Sequence, residues 1–452
     1  MTKQKQLKRL VRTRMAKTGE RYSAARRQVI VKDSAQHLPS PGFVHFPGVN
    51  PGSTALRLLL ANNGIYDPHT GKPLSEAMAF GIAGGIGAGV FSFLYEKEDI
   101  ATFFVAGRHL WQDDLAYLQH ALARLGLSAI VRESTGKATA QAQLVELTHD
   151  AGPVVAWVDM ASLPYRSLPA EWSGGGYHLI VVYQVDSESA EALIGDMAQE
   201  PIKLTLDELA QARGRIKKDK NRLLAIERSR GVPDLRQAVL QGLSACVEGL
   251  TNQRLANFTL ESFKTWADRM QGSKAKDSWE HVFTPGHRLW MGLTSVYDFI
   301  EHYATGGGLL RPLFAEFLEE AAGLFGSTKL HALRQRYRAL GRDWSALASS
   351  ALPDEIPDLF QARELLAQRA QIDLERGAGA AQDLREINRR FLELRQRAAD
   401  HFPLGQAEAE ELRRRLKVQI SELYEGERVA LEEMRAILRD TSSVHAGGKL
   451  PT

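Results

Sequence analysis

A chain of 452 residues with 44% hydrophobic and 25% charged content has room for two or three domains, each with its own core. The single cysteine, Cys246, excludes an intrachain disulfide and any multi-cysteine metal site, and it points to a reducing compartment. No apolar run reaches the roughly 18 residues of a membrane span and no secretion signal opens the chain, so the sequence reads as cytoplasmic, with no membrane partner.

The net charge of +3 conceals an asymmetry: residues 1–32 carry eleven Lys and Arg against one acid, Glu20, so that this arm is +10 and the other 420 residues are −7. Such an arm suits contact with nucleic acid or with an acidic partner, its own body included. Lys5 to Met15 predicts a basic helix with Leu7, Leu10, Val11 and Met15 on one face, and a second helix covers Ser23 to Val31 after the break at Thr18-Gly19. Residues 33–52 hold Pro39, Pro41, Pro47 and Pro51 and read as an extended linker.

A helical pattern begins after Pro51, with Ser53 or Thr54 able to cap it. A hydroxyl at that place has a second possible use. A nucleophile at a helix N-terminus has its anion favoured by the dipole, and free backbone N–H groups there can receive an oxyanion. Pro73-Leu-Ser-Glu-Ala-Met reads as a capped helix start, and the glycine-rich run from Phe80 to Tyr95 follows it. The run has no Gly-Lys-Ser/Thr and matches no nucleotide fingerprint, so its glycines predict close backbone approach to a helix or ligand. Ile100 to Val105 reads as a strand, and Gly107 opens a helix to about Leu125 in which His109, Gln112 and Asp113 serve as caps, as surface or as lining of a site.

Ala129 to Arg132 and Val154 to Val158 predict further strands, and Leu179 to Val182 predicts a buried strand with His178 at its mouth after Ser173-Gly-Gly-Gly. After the polar turn Asp186 to Ala190, Ala192 to Ile194 returns antiparallel and delivers Asp196 to the same end of the sheet. A carboxylate on one ring nitrogen fixes the tautomer and frees the other nitrogen as a base. Two residue types at a free spacing also fit a surface histidine and a turn aspartate. Leu206 to Arg213 reads as a closing helix, and helix first with antiparallel strands after is an α+β order.

Four stretches carry a family likeness: Gly-Ser-Thr-Ala-Leu-Arg (52–57), Leu-Ser-Glu-Ala-Met-Ala-Phe-Gly-Ile-Ala-Gly-Gly-Ile-Gly (74–87), the His178 strand, and residues 195–213. Together, over roughly 43–228, they resemble the N-terminal domain of the butirosin biosynthesis protein H family. The resemblance implies a papain-like, cysteine-peptidase-like α+β domain with Cys at a helix start and His and Asp on the sheet. It also implies acyl transfer from an acyl carrier protein to an aminoglycoside amine. The family pattern places His-Cys just before the Ser/Thr-Thr-Ala-Leu stretch, where this chain has Asn50-Pro51, so thioester exchange through cysteine is unsupported.

Lys217 to Arg230 reads as a charged connector, and the chain from Pro233 onward is helical almost throughout. Thr305-Gly-Gly-Gly-Leu-Leu-Arg-Pro and the helix it feeds resemble the uncharacterised helical domain that follows the butirosin-H-type domain. At that helix start Arg311 suits an anion, or a salt bridge to Glu316 or Glu320. Leu384, Ile387, Phe391 and Leu394, then Leu412, Leu416, Ile420 and Leu423, predict a long helical hairpin on either side of Pro403. Exposed, it is a coiled-coil arm for self-association; packed home, it extends the bundle.

The expected order is therefore a basic arm (1–32), a linker (33–52), a papain-like domain (53–230), a helical domain (231–372), a hairpin (373–440) and a disordered tail (441–452). No cofactor or metal is expected. Two functional readings stand. One is a catalytically silent or altered binder of a ligand or peptide, a homo-oligomer through its helical half. The other is a serine-dependent acyltransferase or amide hydrolase using Ser53 as nucleophile, His178 as base and Asp196 as its orienting acid.

Overall fold

The antiparallel strands build one six-stranded sheet and two separate two-stranded hairpins in a computed structural model that describes residues 42–227 and 233–446, with Arg9, 11–16, Gly19, Ala25 and Leu38–Ser40. The first hairpin pairs β1 (Leu38–Ser40) with β2 (Phe43–His45). Helix α1 (Pro51–Asn62) follows, with Asn50 as its cap accepting from the amides of Gly52 and Ser53. Helix α2 (Glu76–Ile82) is capped by Ser75 and leads into the long hairpin of β3 (Ile86–Tyr95) and β4 (Ile100–Arg108).

Helix α3 spans Asp114–Arg124, so the helix expected from Gly107 starts later than its pattern suggested. Residues up to Arg108 stay in the strand, and Asp113 is the cap that accepts from the amide of Ala116. β5 (Ala129–Arg132), α4 (Lys137–Asp150), β6 (Val154–Asp159), β7 (Tyr177–Asp186), β8 (Glu191–Gly195), β9 (Ile202–Thr205), α5 (Leu206–Gly214) and β10 (Leu223–Ile226) complete this half. The large sheet runs β5-β10-β6-β7-β8-β9. Along β7, Leu179 and Val181 belong to the core shared with α1, while Ile180 and Val182 join the opposite core under α4 and α5.

Three expectations for this half change. The region read as a connector contains β10, which pairs with both β5 and β6 inside the sheet; its residues 228–230 lie outside the described residues. Lys137–Asp150, for which no element was expected, is a helix. The segment read as a linker carries β2, and His45, Phe46 and Val49 within it are buried.

The rest of the chain is helical: α6 (Leu235–Thr251), α7 (Glu261–Met270), α8 (Trp279–Val282), α9 (His287–Glu301), α10 (Arg311–Phe325), α11 (Thr328–Ala351), α12 (Pro357–Arg376), α13 (Ala381–Asp400) and α14 (Gln406–Ala446). The hairpin expected from α13 and α14 is packed home. α14 runs along α11 and α7, and α13 lies against α12 and α9, because their apolar stripes face the bundle. Six residues expected in the tail, 441–446, continue α14, and 447–452 lie outside the described residues.

Arg311 is fully buried and pairs with Glu427 at 2.6 Å, not with Glu316 or Glu320. Glu316 instead meets Arg14 of the arm at 3.3 Å, and Glu320 accepts from Ser75. Most of the two arm helices, Ser23 to Val31 almost entirely, lies outside the described residues.

The glycine run does what its composition predicted. A Cβ on Gly81 would meet the Phe317 ring at 2.1 Å, and one on Gly242 would meet the Gly81 carbonyl at 2.3 Å. Gly81 and Gly242 thereby let α2 lie against α10 and α6. Gly84 and Gly85 hold φ of 113° and 61° in the turn into β3. No helix among the described residues is long and apolar enough to cross a membrane.

Candidate functional site

β7 and β8 bring His178 and Asp196 together. In the antiparallel register Val181 faces Gly195, so the residue after β8 returns beside the beginning of β7. His178 Nε2 lies 2.9 Å from Asp196 Oδ1, and both side chains are almost wholly buried. Asp196 Oδ1 also accepts the amide of Met197 at 2.7 Å, while Oδ2 accepts the Tyr165 hydroxyl and Arg166 Nη2, each at 2.7 Å.

Burial alone would raise the Asp196 carboxyl, but the Arg166 guanidinium and the His178 imidazole hold it well below the usual carboxylate range. Arg166 is likewise pushed up, against its burial, by Asp196 and Asp373 and is a permanent cation. Its Nη2 lies 3.1 Å from His178 Nε2 as well. One ring nitrogen cannot donate to the carboxylate and also accept from the guanidinium in full. With an anion at 2.9 Å, Nε2 is assigned as the protonated nitrogen, which leaves Nδ1 as the basic one.

The imidazole borders a cavity of about 930 Å³ between the sheet half and the helical half. Asn50 and Pro51 at the start of α1 border it too, so the helix start and His178 share one cleft, while Asp196 lies behind the ring and lines a smaller pocket with Tyr165 and Arg166. By strand alternation His178 falls on the face of Ile180 and Val182, away from α1, so it meets the cavity at the end of the sheet rather than across it. The helical half supplies Asp298, Tyr303, Arg369 and Asp373 to the same cavity. Phe93, Tyr95, Trp172 and Tyr177, each between 41% and 52% exposed, line it as well and form an aromatic rim.

Ser53 is placed elsewhere. It is fully buried, its hydroxyl donates to Glu76 Oε1 at 2.8 Å, and it makes no hydrogen bond to His178. Glu76 also accepts the amides of Val49 and Asn50 and the Thr54 hydroxyl. Burial pushes the Glu76 carboxyl up, and these hydrogen bonds pull it back down. Gln112 and Asp113 line the cavity, whereas His109 is buried against Gly84 and Gly249. Burial, helped by Arg124 and Arg108, lowers His109 to about 3. Cys246 is buried and its thiol is pushed up to about 12, mainly by burial, which suits an inert thiol.

Tyr165, Arg166, Glu76 and Asp373 are the site residues that sequence reasoning missed. Ser-Glu-Ala-Met offered Glu76 as a capping-region acid; Leu-Pro-Tyr-Arg and the helix around Asp373 carried no signal that they meet. Among the described residues no group of three or more His, Cys, Asp or Glu side chains could hold a metal ion.

The arrangement is thus an antiparallel-sheet unit with a His–Asp pair at one sheet end, closed over by a helical unit. Comparison with known families agrees in both halves. Residues 50–197 match the family described as butirosin biosynthesis protein H, N-terminal, and residues 206–391 match a domain of unknown function, DUF4872. The chain carries these two domains in the order the sequence motifs suggested. No curated protein matches it.

Proposed function

We propose that the protein is a papain-like binder of a small ligand or peptide, built on the frame of an acyltransferase but without the thiol that would take up an acyl group. One observation carries this reading: Pro51, at the position where the family pattern has cysteine, borders the cavity that His178 borders. A proline ring supplies neither a nucleophile nor a backbone N–H for an oxyanion. The His178–Asp196 pair then recognises or orients a bound group by hydrogen bonding, and the aromatic rim covers its apolar part.

The serine-dependent reading requires the Ser53 hydroxyl to leave Glu76 and travel from a fully buried site to the imidazole. A displacement of about 1 Å already costs about a hundredfold in rate, which weighs against it. An acyl carrier protein or a peptide at the cavity mouth, self-association of the helical half, and contact of residues 1–32 with nucleic acid or an acidic partner belong to the same proposal.

The test uses p-nitrophenyl acetate as acyl donor, followed by mass spectrometry of the intact protein. Wild type is expected to gain no acetyl group. Pro51→Cys is expected to gain one, its thiolate attacking the ester carbonyl as p-nitrophenolate leaves, and to gain it about tenfold more slowly when His178→Ala is added. A wild-type adduct that disappears in Ser53→Ala would overturn the proposal in favour of the serine reading.

A further inference from the structure

The least expected partner of the His–Asp pair comes from the far half of the chain. Arg166 Nη2 holds Asp196 Oδ2, and its Nη1 donates to Asp373 Oδ2 on α12. The same region of the helical half grips the site twice more. Asn388 Nδ2 on α13 donates to the Ser167 carbonyl at 2.9 Å, next to Arg166. The Gln199 amide donates to the Leu374 carbonyl at 3.3 Å, three residues beyond Asp196. Helical residues thus clamp both the turn that carries Arg166 and the strand end that carries Asp196.

We infer that Asp373 is a positioning residue for the His178–Asp196 pair, acting through Arg166, so that the domain of unknown function completes the site instead of merely covering it. The inference rests on reading His178 and Asp196 as the working groups of the cavity. Its logic is a charge count. Asp196, Arg166 and Asp373 together carry one negative charge when all are ionised, and a proton added to His178 is set against that charge. Removing Asp373 leaves the remaining two balanced and disfavours that proton; removing Arg166 leaves two negative charges and favours it further. Asp373 also fixes where the guanidinium sits, since Arg166 Nε has no hydrogen-bond partner among the described residues and only Nη1 and Nη2 anchor it.

Other groups face the pair from the elements around it. Tyr165 bonds Asp196 directly, and His45 on β2 feels the Asp196 charge. Asp159 on β6 stands beside the partner of His178, and the Arg369–Asp298 pair lies on the helical side of the cavity. None of these changes in the variants below.

The test is the titration of His178 by side-chain nitrogen NMR on histidine-labelled full-length protein, its signal assigned by its loss in His178→Gln. Asp373→Asn is expected to lower the His178 pKa by about half a unit, and Arg166→Met to raise it by at least as much. Asp373→Glu keeps the charge and is expected to restore the wild-type curve. An unchanged curve in folded Asp373→Asn, or a shift of the same sign in both variants, overturns the inference. Asp373→Ser and Asp373→Ala carry the same expectation. If all three neutral variants fail to fold while Asp373→Glu folds, Asp373 is a structural residue only, and the inference is overturned on that ground. The readout needs no ligand or turnover, so it is independent of whether Pro51→Cys takes up an acetyl group.

Discussion

Glu76 shows how one buried carboxylate shapes the mouth of the site. It gathers two amides and two hydroxyls just before and inside the first turn of α1, so Asn50 and Pro51 are held where they border the cavity. Glu76→Ala would strand three of these donors in a buried place and leave the Ser53 hydroxyl only the Asn50 carbonyl at 3.4 Å, and chemical denaturation is expected to show a loss of about 3 kcal/mol. Ser53→Ala, which removes one donor and leaves the carboxylate its other partners, is expected to cost about 1 kcal/mol. Two histidines set a pH dependence of stability. Burial lowers the pKa of both His45 and His109, the latter to about 3. Between that value and the unperturbed one of about 6.5 the unfolded chain binds a proton that the native His109 refuses, so stability falls as pH drops, by up to about 1.4 kcal/mol per pH unit per histidine. Denaturation at pH 7 and pH 5 is expected to show this loss, and His109→Gln is expected to shrink the difference between the two. Residue chemistry of this kind was only half legible in the sequence. His178 and Asp196 could be paired because one polar turn and two short apolar strands lie between them. Arg166 and Asp373 could not, because 207 positions separate them and nothing local records the meeting.

The glycine run and the buried ion pair carry the predictions at the level of elements. With 2.3 Å between the Gly81 carbonyl and the place of a Gly242 Cβ, Gly242→Ala has to push α6 off α2. Thermal and urea denaturation are expected to show a loss of about 1–3 kcal/mol. Arg311 and Glu427 tie α10 to α14, and the guanidinium also donates to the Leu309 carbonyl at 2.8 Å. Glu427→Leu leaves a buried cation unpaired and is expected to cost about 3–5 kcal/mol, only part of it recovered in Arg311→Met/Glu427→Leu, because Trp344 Nε1, which donates to Glu427 at 2.8 Å, stays buried without its acceptor. Helices and strands with long clean patterns were legible from the sequence, among them α1, β4, β7 and α14. β10 was not: Leu-Leu-Ala-Ile is four residues among charges, and only its two neighbours in the sheet make it a strand. The start of α3 was misplaced because Arg108 continues a helical pattern that the β4 pairing overrides, and His109 falls in the turn after that strand.

For the molecule as a whole, the two halves share the cavity and cannot be read as a catalytic domain with an independent appendage. The sheet that carries His178 also runs past the boundary between the two family matches, since α5 and β10 fall within residues 206–391 and yet pack on β6. This has a consequence for synthesis. While the ribosome is still short of Ile226, β5 and β6 have no common neighbour to join them, and the nascent chain presents two open strand edges of the kind that recruit foreign strands. The His–Asp strands can pair early, but the frame around them closes only when a late, four-residue insertion arrives from downstream. A gene fragment cut at the first family boundary is therefore expected to yield aggregates, and one extended through residue 227, which joins β5 to β6 but still lacks the helices that share its core, to aggregate less, as size-exclusion chromatography of the two would register.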